Sequence, residues 1–181
     1  MRPGEMVPIP FGDSATKGLT RDHLDFKNDM IILKSDDTKT SRAHNIPMTK
    51  EILDILRRIP TDLRSRHVFT YKGKAFHNIR GSVRKACDKA GIPYGMRVKD
   101  GFVFRDLRST CKTLMARAEI DIVYRDALLG HVQKGMDRHY MNPDFEKDLR
   151  RSMDQWTSWL KNEFEKKRDL KKVIVDQTVD Q

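Results

Sequence analysis

No stretch of this chain approaches the about 18–20 consecutive apolar residues that a membrane-spanning helix needs. Its first residues carry no apolar run of signal-peptide type either. Cysteine is scarce: Cys87 and Cys111 lie far apart, with no Cys-x-x-Cys pattern. That argues against a disulfide framework and reads as two reduced, structural thiols in a cytoplasmic protein. The six histidines show no His-x-x-x-His or His-Glu-x-x-His spacing, so no metal centre is expected. No internal repeat is visible. Acidic residues are in deficit, 26 Asp and Glu against 36 Lys and Arg, which leaves a net charge of +10 and a pI near 9.7. A chain this basic usually meets a polyanion, nucleic acid being the commonest, although a well-solvated surface gives the same composition.

At 181 residues, 38% of them hydrophobic, the chain suits one domain with a modest core. Pro8, Pro10, Gly12 and Gly18 mark an early loop. Met30-Ile31-Ile32-Leu33 and Asn45-Ile46-Pro47-Met48 read as two strands around a polar turn, a hairpin or small sheet. Thr49 then caps a helix with Ile52, Leu53, Ile55 and Leu56 at helical spacing, ended by Pro60. Val68-Phe69-Thr70 is short and extended. The spacing of Ile79, Val83, Ala86, Cys87 and Ala90 predicts a helix over 76–90, stopped by Gly91. Two more helices follow, one carrying Leu107, Cys111, Leu114 and Met115 and one over 122–129 ended by Gly130. Asn142-Pro143-Asp144 starts a last helix, with Phe145, Leu149, Met153, Trp156, Leu160 and Phe164 along one stripe. The expected organisation is a domain over 1–165 and a charged, flexible tail over 166–181.

The most informative segment runs from Arg105 to Tyr140. It reads Arg105-Asp106-Leu107-Arg108, then Leu128-Leu129-Gly130-His131, then Arg138-His139-Tyr140. Two arginines, a histidine and a tyrosine in one short stretch suit in-line attack on a phosphodiester. Guanidinium groups stabilise charge that develops on the phosphate. A phenol with a pKa near about 10 becomes a nucleophile only among cations. Leu107 is expected to anchor its helix and turn Arg108 toward a cleft.

Order and spacing resemble the catalytic core of the tyrosine recombinases, the phage integrase family. There Leu-Gly-His follows an Arg-containing motif and the nucleophilic Tyr lies nine residues beyond that His; here His131 to Tyr140 is nine residues. The resemblance implies an α+β catalytic domain, mostly helical with a small antiparallel sheet. It makes Tyr140 the nucleophile, Arg108 the phosphate clamp and His131 a donor to a phosphate oxygen. Met1-Arg2-Pro3-Gly4-Glu5 resembles the family's first Arg motif, which makes Arg2 the second phosphate arginine and Glu5 its buttress. The hairpin turn holding Lys39 matches the family's Lys turn, which makes Lys39 the general acid for the departing 5′ oxygen.

The resemblance further implies a site-specific recombinase or integrase acting through a 3′-phosphotyrosyl intermediate without metal or cofactor. Its partners would be double-stranded DNA and other protomers, a tetramer in the synaptic complex, in a prokaryotic cell or from a phage. Three departures stand out. Arg105 occupies the usual His position and is a poor proton acceptor. The stretch from Val7 to Leu19 is longer than the pattern needs and is expected to break the helix after Arg2. The chain starts at the first catalytic motif, as a fragment without the N-terminal DNA-clamping domain would. Two alternatives remain: a non-catalytic DNA-binding protein of the same fold, and a strand transferase of type IB topoisomerase kind, which the compact His-to-Tyr spacing disfavours.

Overall fold

The computed structural model describes residues 1–8, 16–38, 41–131 and 143–179. It opens on one helical turn, α1 (Pro3–Met6), because the Glu5 carboxylate takes both the Arg2 backbone N–H at 2.6 Å and Arg2 Nη1 at 3.1 Å. The long connection after it does not displace Arg2. Leu19 N–H donates to the Met6 carbonyl at 3.1 Å, which closes the base of the insertion. Gly18 makes that closure possible: its φ is +68°, and a Cβ there would lie 2.5 Å from the Pro8 nitrogen.

Three short strands follow, β1 (Leu24–Asp25), β2 (Met30–Leu33) and β3 (His44–Pro47), in an antiparallel sheet of order β1-β2-β3. Met30 faces Pro47 and Leu33 faces His44. Along β3, His44 and Ile46 turn inward while Asn45 is exposed, the two-residue alternation of a half-buried strand. Helix α2 (Lys50–Arg58) starts after Thr49 and buries Leu53 on the sheet. Leu19, Ile31, Leu33, Ile46, Met48, Leu53 and Val68 form this first core; Ile55, grouped with the apolar face by its spacing, is 61% exposed.

Strands β4 (Thr70–Tyr71) and β5 (Lys74–Ala75) form a hairpin around Lys72-Gly73, both at positive φ as a two-residue turn demands. That hairpin delays the next helix. Phe76 N–H still pairs with the Phe69 carbonyl, and Asn78 Oδ1 accepts the Arg80 N–H at 2.9 Å, so α3 spans Arg80–Lys89 rather than starting at 76. Of its predicted face only Cys87 is buried. Ile79, Val83 and Ala86 instead border an open apolar cleft of about 330 Å³ with Phe69, Phe76 and Phe104, and Ala90 is exposed.

The second core lies among α4 (Asp106–Arg117), α5 (Ile122–Leu129) and α6 (Pro143–Val179). Asp121 caps α5 by accepting the Val123 N–H at 2.8 Å, and Gly130 ends it at φ +62°. Helix α6 lays Phe145, Leu149, Met153, Trp156 and Leu160 on α4 and α5 of its own chain. Arg150 donates to the Asn28 carbonyl at 2.5 Å, Gln155 donates to the Ala118 carbonyl at 2.8 Å, and Lys161 pairs with Glu51. The backbone of α6 stays helical through the charged stretch after 165, where the sequence suggests a tail.

The architecture is α+β, about half helical with small antiparallel sheets. Leu149→Ala, which empties a core position only 4% exposed, should cost about 2–5 kcal/mol in urea denaturation. Phe164→Ala on the same stripe, 66% exposed, should stay within about 0.5 kcal/mol.

Candidate active site

The N-terminal end of α4, the C-terminal end of α5, the start of β3 and the turn of α1 meet at one place. Arg108 and Lys112 stand four residues apart on α4 and so share a face. Leu107 does not anchor that helix as its apolar side chain suggests, since it is exposed; Cys111 and Met115 pack into the second core instead. Arg108 is half-buried. Its Nη2 donates to the Leu129 carbonyl at the end of α5, while its Nη1 is buried without a hydrogen-bond partner among the described residues. Burial, and next the charge of Arg2, push the Arg108 pKa below the usual guanidinium value, with Glu5 opposing. Glu5 is 2% exposed and bonded to Arg2, so it holds that arginine beside Arg108.

The Gly130-His131 turn is fixed from two sides. His131 N–H donates to the Asp126 carbonyl at 2.7 Å and Gly130 N–H to the Ala127 carbonyl at 2.9 Å. From β3, His44 Nε2 donates to the Leu128 carbonyl at 3.2 Å, and a Cβ added at Gly130 would come within 3.0 Å of the His44 Nδ1. Gly130 is therefore needed for its backbone conformation and for the approach of His44. Burial pushes the His44 imidazole down from 6.5 to about 4. Above 6.5 it is neutral in folded and unfolded chains alike and its contribution to stability is full. As the pH falls the unfolded chain takes up the proton first, so stability declines between about 6.5 and about 4. His44→Gln is expected to flatten that fall, an effect on the order of a few kcal/mol, in urea denaturation across the same pH range.

A recess of about 10 Å³ lies between Arg2, Thr38, Arg42, His44 and Gly130. Thr38 closes the base of the hairpin turn, with its Oγ1 donating to the Arg42 carbonyl at 2.7 Å and accepting the Arg42 N–H at 3.1 Å. Lys39 and Tyr140 lie outside the described residues. Of the other predicted residues, the structure gathers Arg2, Glu5, Arg108 and His131. Arg105, just before α4, is exposed; its carbonyl accepts the Arg108 N–H at 3.2 Å, but its side chain makes no hydrogen bond or ion pair among the described residues. Among those residues no three His, Cys, Asp or Glu side chains come together as metal ligands, and no helix is long and apolar enough to cross a membrane.

With this geometry in view, the family comparison is decisive: the model of the phage integrase family matches residues 14–147. The chain belongs to the phage integrase family. The matched stretch holds Lys39, Arg105, Arg108, His131 and Tyr140, while Arg2 and Glu5 precede it. No curated protein and no solved structure matches the chain. Membership puts it among the site-specific recombinases and integrases at the level of the family. Three residues of this integrase-family site escape a reading of the sequence: His44, Lys112 and Asp126. The alternation along β3 places His44 on the inward face with Ile46. Lys112 stands one turn after Arg108. Nothing local marks Asp126.

Proposed function

We propose that this protein cuts and rejoins DNA strands through a 3′-phosphotyrosyl intermediate. The observation that carries the reading is the buried, unpartnered Nη1 of Arg108 beside Arg2. A buried donor without a partner is costly and calls for an explanation, and two adjacent guanidinium groups next to it suit a phosphodiester. Arg2 and Arg108 would hold the nonbridging oxygens, and His131 would donate to one of them in the transition state. The Tyr140 phenol releases its proton to solvent and its oxygen forms the new bond to phosphorus as the bond to the 5′ oxygen breaks, while Lys39 gives its proton to that leaving oxygen. Attack by a 5′ hydroxyl of another strand, which gives its proton back to Lys39, breaks the bond from phosphorus to the Tyr140 oxygen; that oxygen takes a proton from solvent, and transfer is complete. No metal or cofactor takes part, and Arg105 adds positive charge without taking a proton. The partners are double-stranded DNA and further copies of the chain, four in the synaptic complex.

A nicked duplex carrying the recombination site, whose short 5′ product diffuses away, tests this. The expected result is a protein–DNA band that survives denaturant. A salt-sensitive mobility shift with no such band would leave a DNA-binding protein without strand-transfer activity.

A further inference from the structure

Asp126 is 5% exposed, and its Oδ1 serves two neighbours, an ammonium and an imidazole. Lys112 Nζ lies 2.6 Å from it and His131 Nδ1 lies 3.7 Å from it. Asp126 also receives the His131 backbone N–H through its own carbonyl, at 2.7 Å. His131 is thus tied to one residue at its main chain and faced by that residue's carboxylate at its ring. A buried acid needs a counterion, and among the described residues Lys112 meets that need. The need for a counterion does not explain why the same oxygen also faces the imidazole. We propose that Asp126 and Lys112 are a positioning pair for His131: Asp126 Oδ1 steers the ring by its Nδ1 edge, and Lys112, sharing that oxygen, limits the pull.

The ring's other nitrogen, Nε2, is on the opposite edge and has no hydrogen-bond partner among the described residues, which lets it serve a ligand. A carboxylate on Nδ1 favours the doubly protonated ring, whose Nε2–H can donate to a phosphate oxygen. The second-carboxylate arrangement that orients a histidine in other sites works in the same way. At 3.7 Å the contact is an ion-pair distance rather than a hydrogen bond, and such contacts commonly tighten when substrate binds. Among the described residues the charged groups acting on His131 are Arg2, Arg108 and Lys112 on one side and Asp126 on the other. Burial leads in pushing its pKa down, the three cations add to that, and Asp126 opposes them. The role assigned to His131 rests on the strand-transfer reading; its coupling to Asp126 and Lys112 does not.

The coupling has a signature that simple destabilisation lacks, because the two partners act with opposite signs. NMR titration of the His131 ring in the full chain, assigned with His131→Gln, reads it directly. Asp126→Asn should lower the ring's pKa and Lys112→Gln should raise it, each by about half a unit or more, with the double variant between them. Lys112 is the more exposed partner, so Lys112→Gln carries the test alone if Asp126→Asn fails to fold. No shift, or shifts in the same direction, would overturn the pair. Covalent-adduct formation is measured on the same proteins. Opposite shifts in a chain whose wild type forms no adduct would sink the strand-transfer reading and keep the pair. An active wild type without the shifts would do the reverse.

Discussion

Tyr140→Phe is expected to abolish the covalent DNA adduct while changing DNA affinity by less than about twofold. The substitution removes one oxygen, and that oxygen is the proposed nucleophile. Affinity rests on Lys and Arg contacts to phosphates spread over a chain of net charge +10, and a phenol hydroxyl adds little to them. Gel analysis under denaturing conditions reads the first quantity and a salt-controlled binding titration the second. An adduct that persists in Tyr140→Phe would move the nucleophile to another residue.

Arg108→Ala should lower single-turnover cleavage by about a hundredfold or more, the usual cost of losing a preorganised donor to a transition-state oxygen. Arg105→Ala should cost less than about tenfold. The two positions are one helical turn apart, yet their surroundings differ. Arg108 is half-buried, bonded to the Leu129 carbonyl and next to Arg2, with one donor unused. The Arg105 side chain is exposed and makes no hydrogen bond or ion pair among the described residues. Arg108→Lys keeps the charge and loses the forked geometry, so its rate should lie between wild type and Arg108→Ala. Equal, modest losses at 105 and 108 would mean that neither touches the transferring phosphate, and would favour a non-catalytic DNA-binding protein.

Local signals were strong enough to define some elements from sequence. The apolar run Met30–Leu33 is β2, and Gly130 ends α5 over Ile122–Leu129. Other elements depended on contacts that periodicity does not report. Helix α3 starts late because a two-residue hairpin and the hydrogen bond from the Arg80 N–H to Asn78 Oδ1 compete with helical spacing over 76–79. The outer half of α6 has little apolar face, so periodicity does not report that its backbone stays helical past 165. Pairs such as Glu163–Lys166 three residues apart give some helical support there without burial.

The site divides in the same way. Arg108 and His131 were legible because a short segment fixes their spacing, and Arg2 with Glu5 because they sit in one turn. His44 was not legible as a partner of the Gly130 turn, since the Leu128 carbonyl it binds is 84 residues further along the chain. Asp126 and Lys112 are ordinary helix residues until α4 packs on α5. Leu107 misled because an apolar side chain on a helix need not face the core.

In the proposed reaction Tyr140 becomes joined to a DNA 3′ phosphate. The most direct measurement is to trap the wild-type protein on the nicked duplex, digest both components and identify the modified peptide by mass spectrometry. The predicted result is a nucleotide linked through phosphate to the peptide containing Tyr140, with the freed strand ending in a 5′ hydroxyl. A nucleotide on any other residue, or a cleaved strand with no peptide attached, would contradict it.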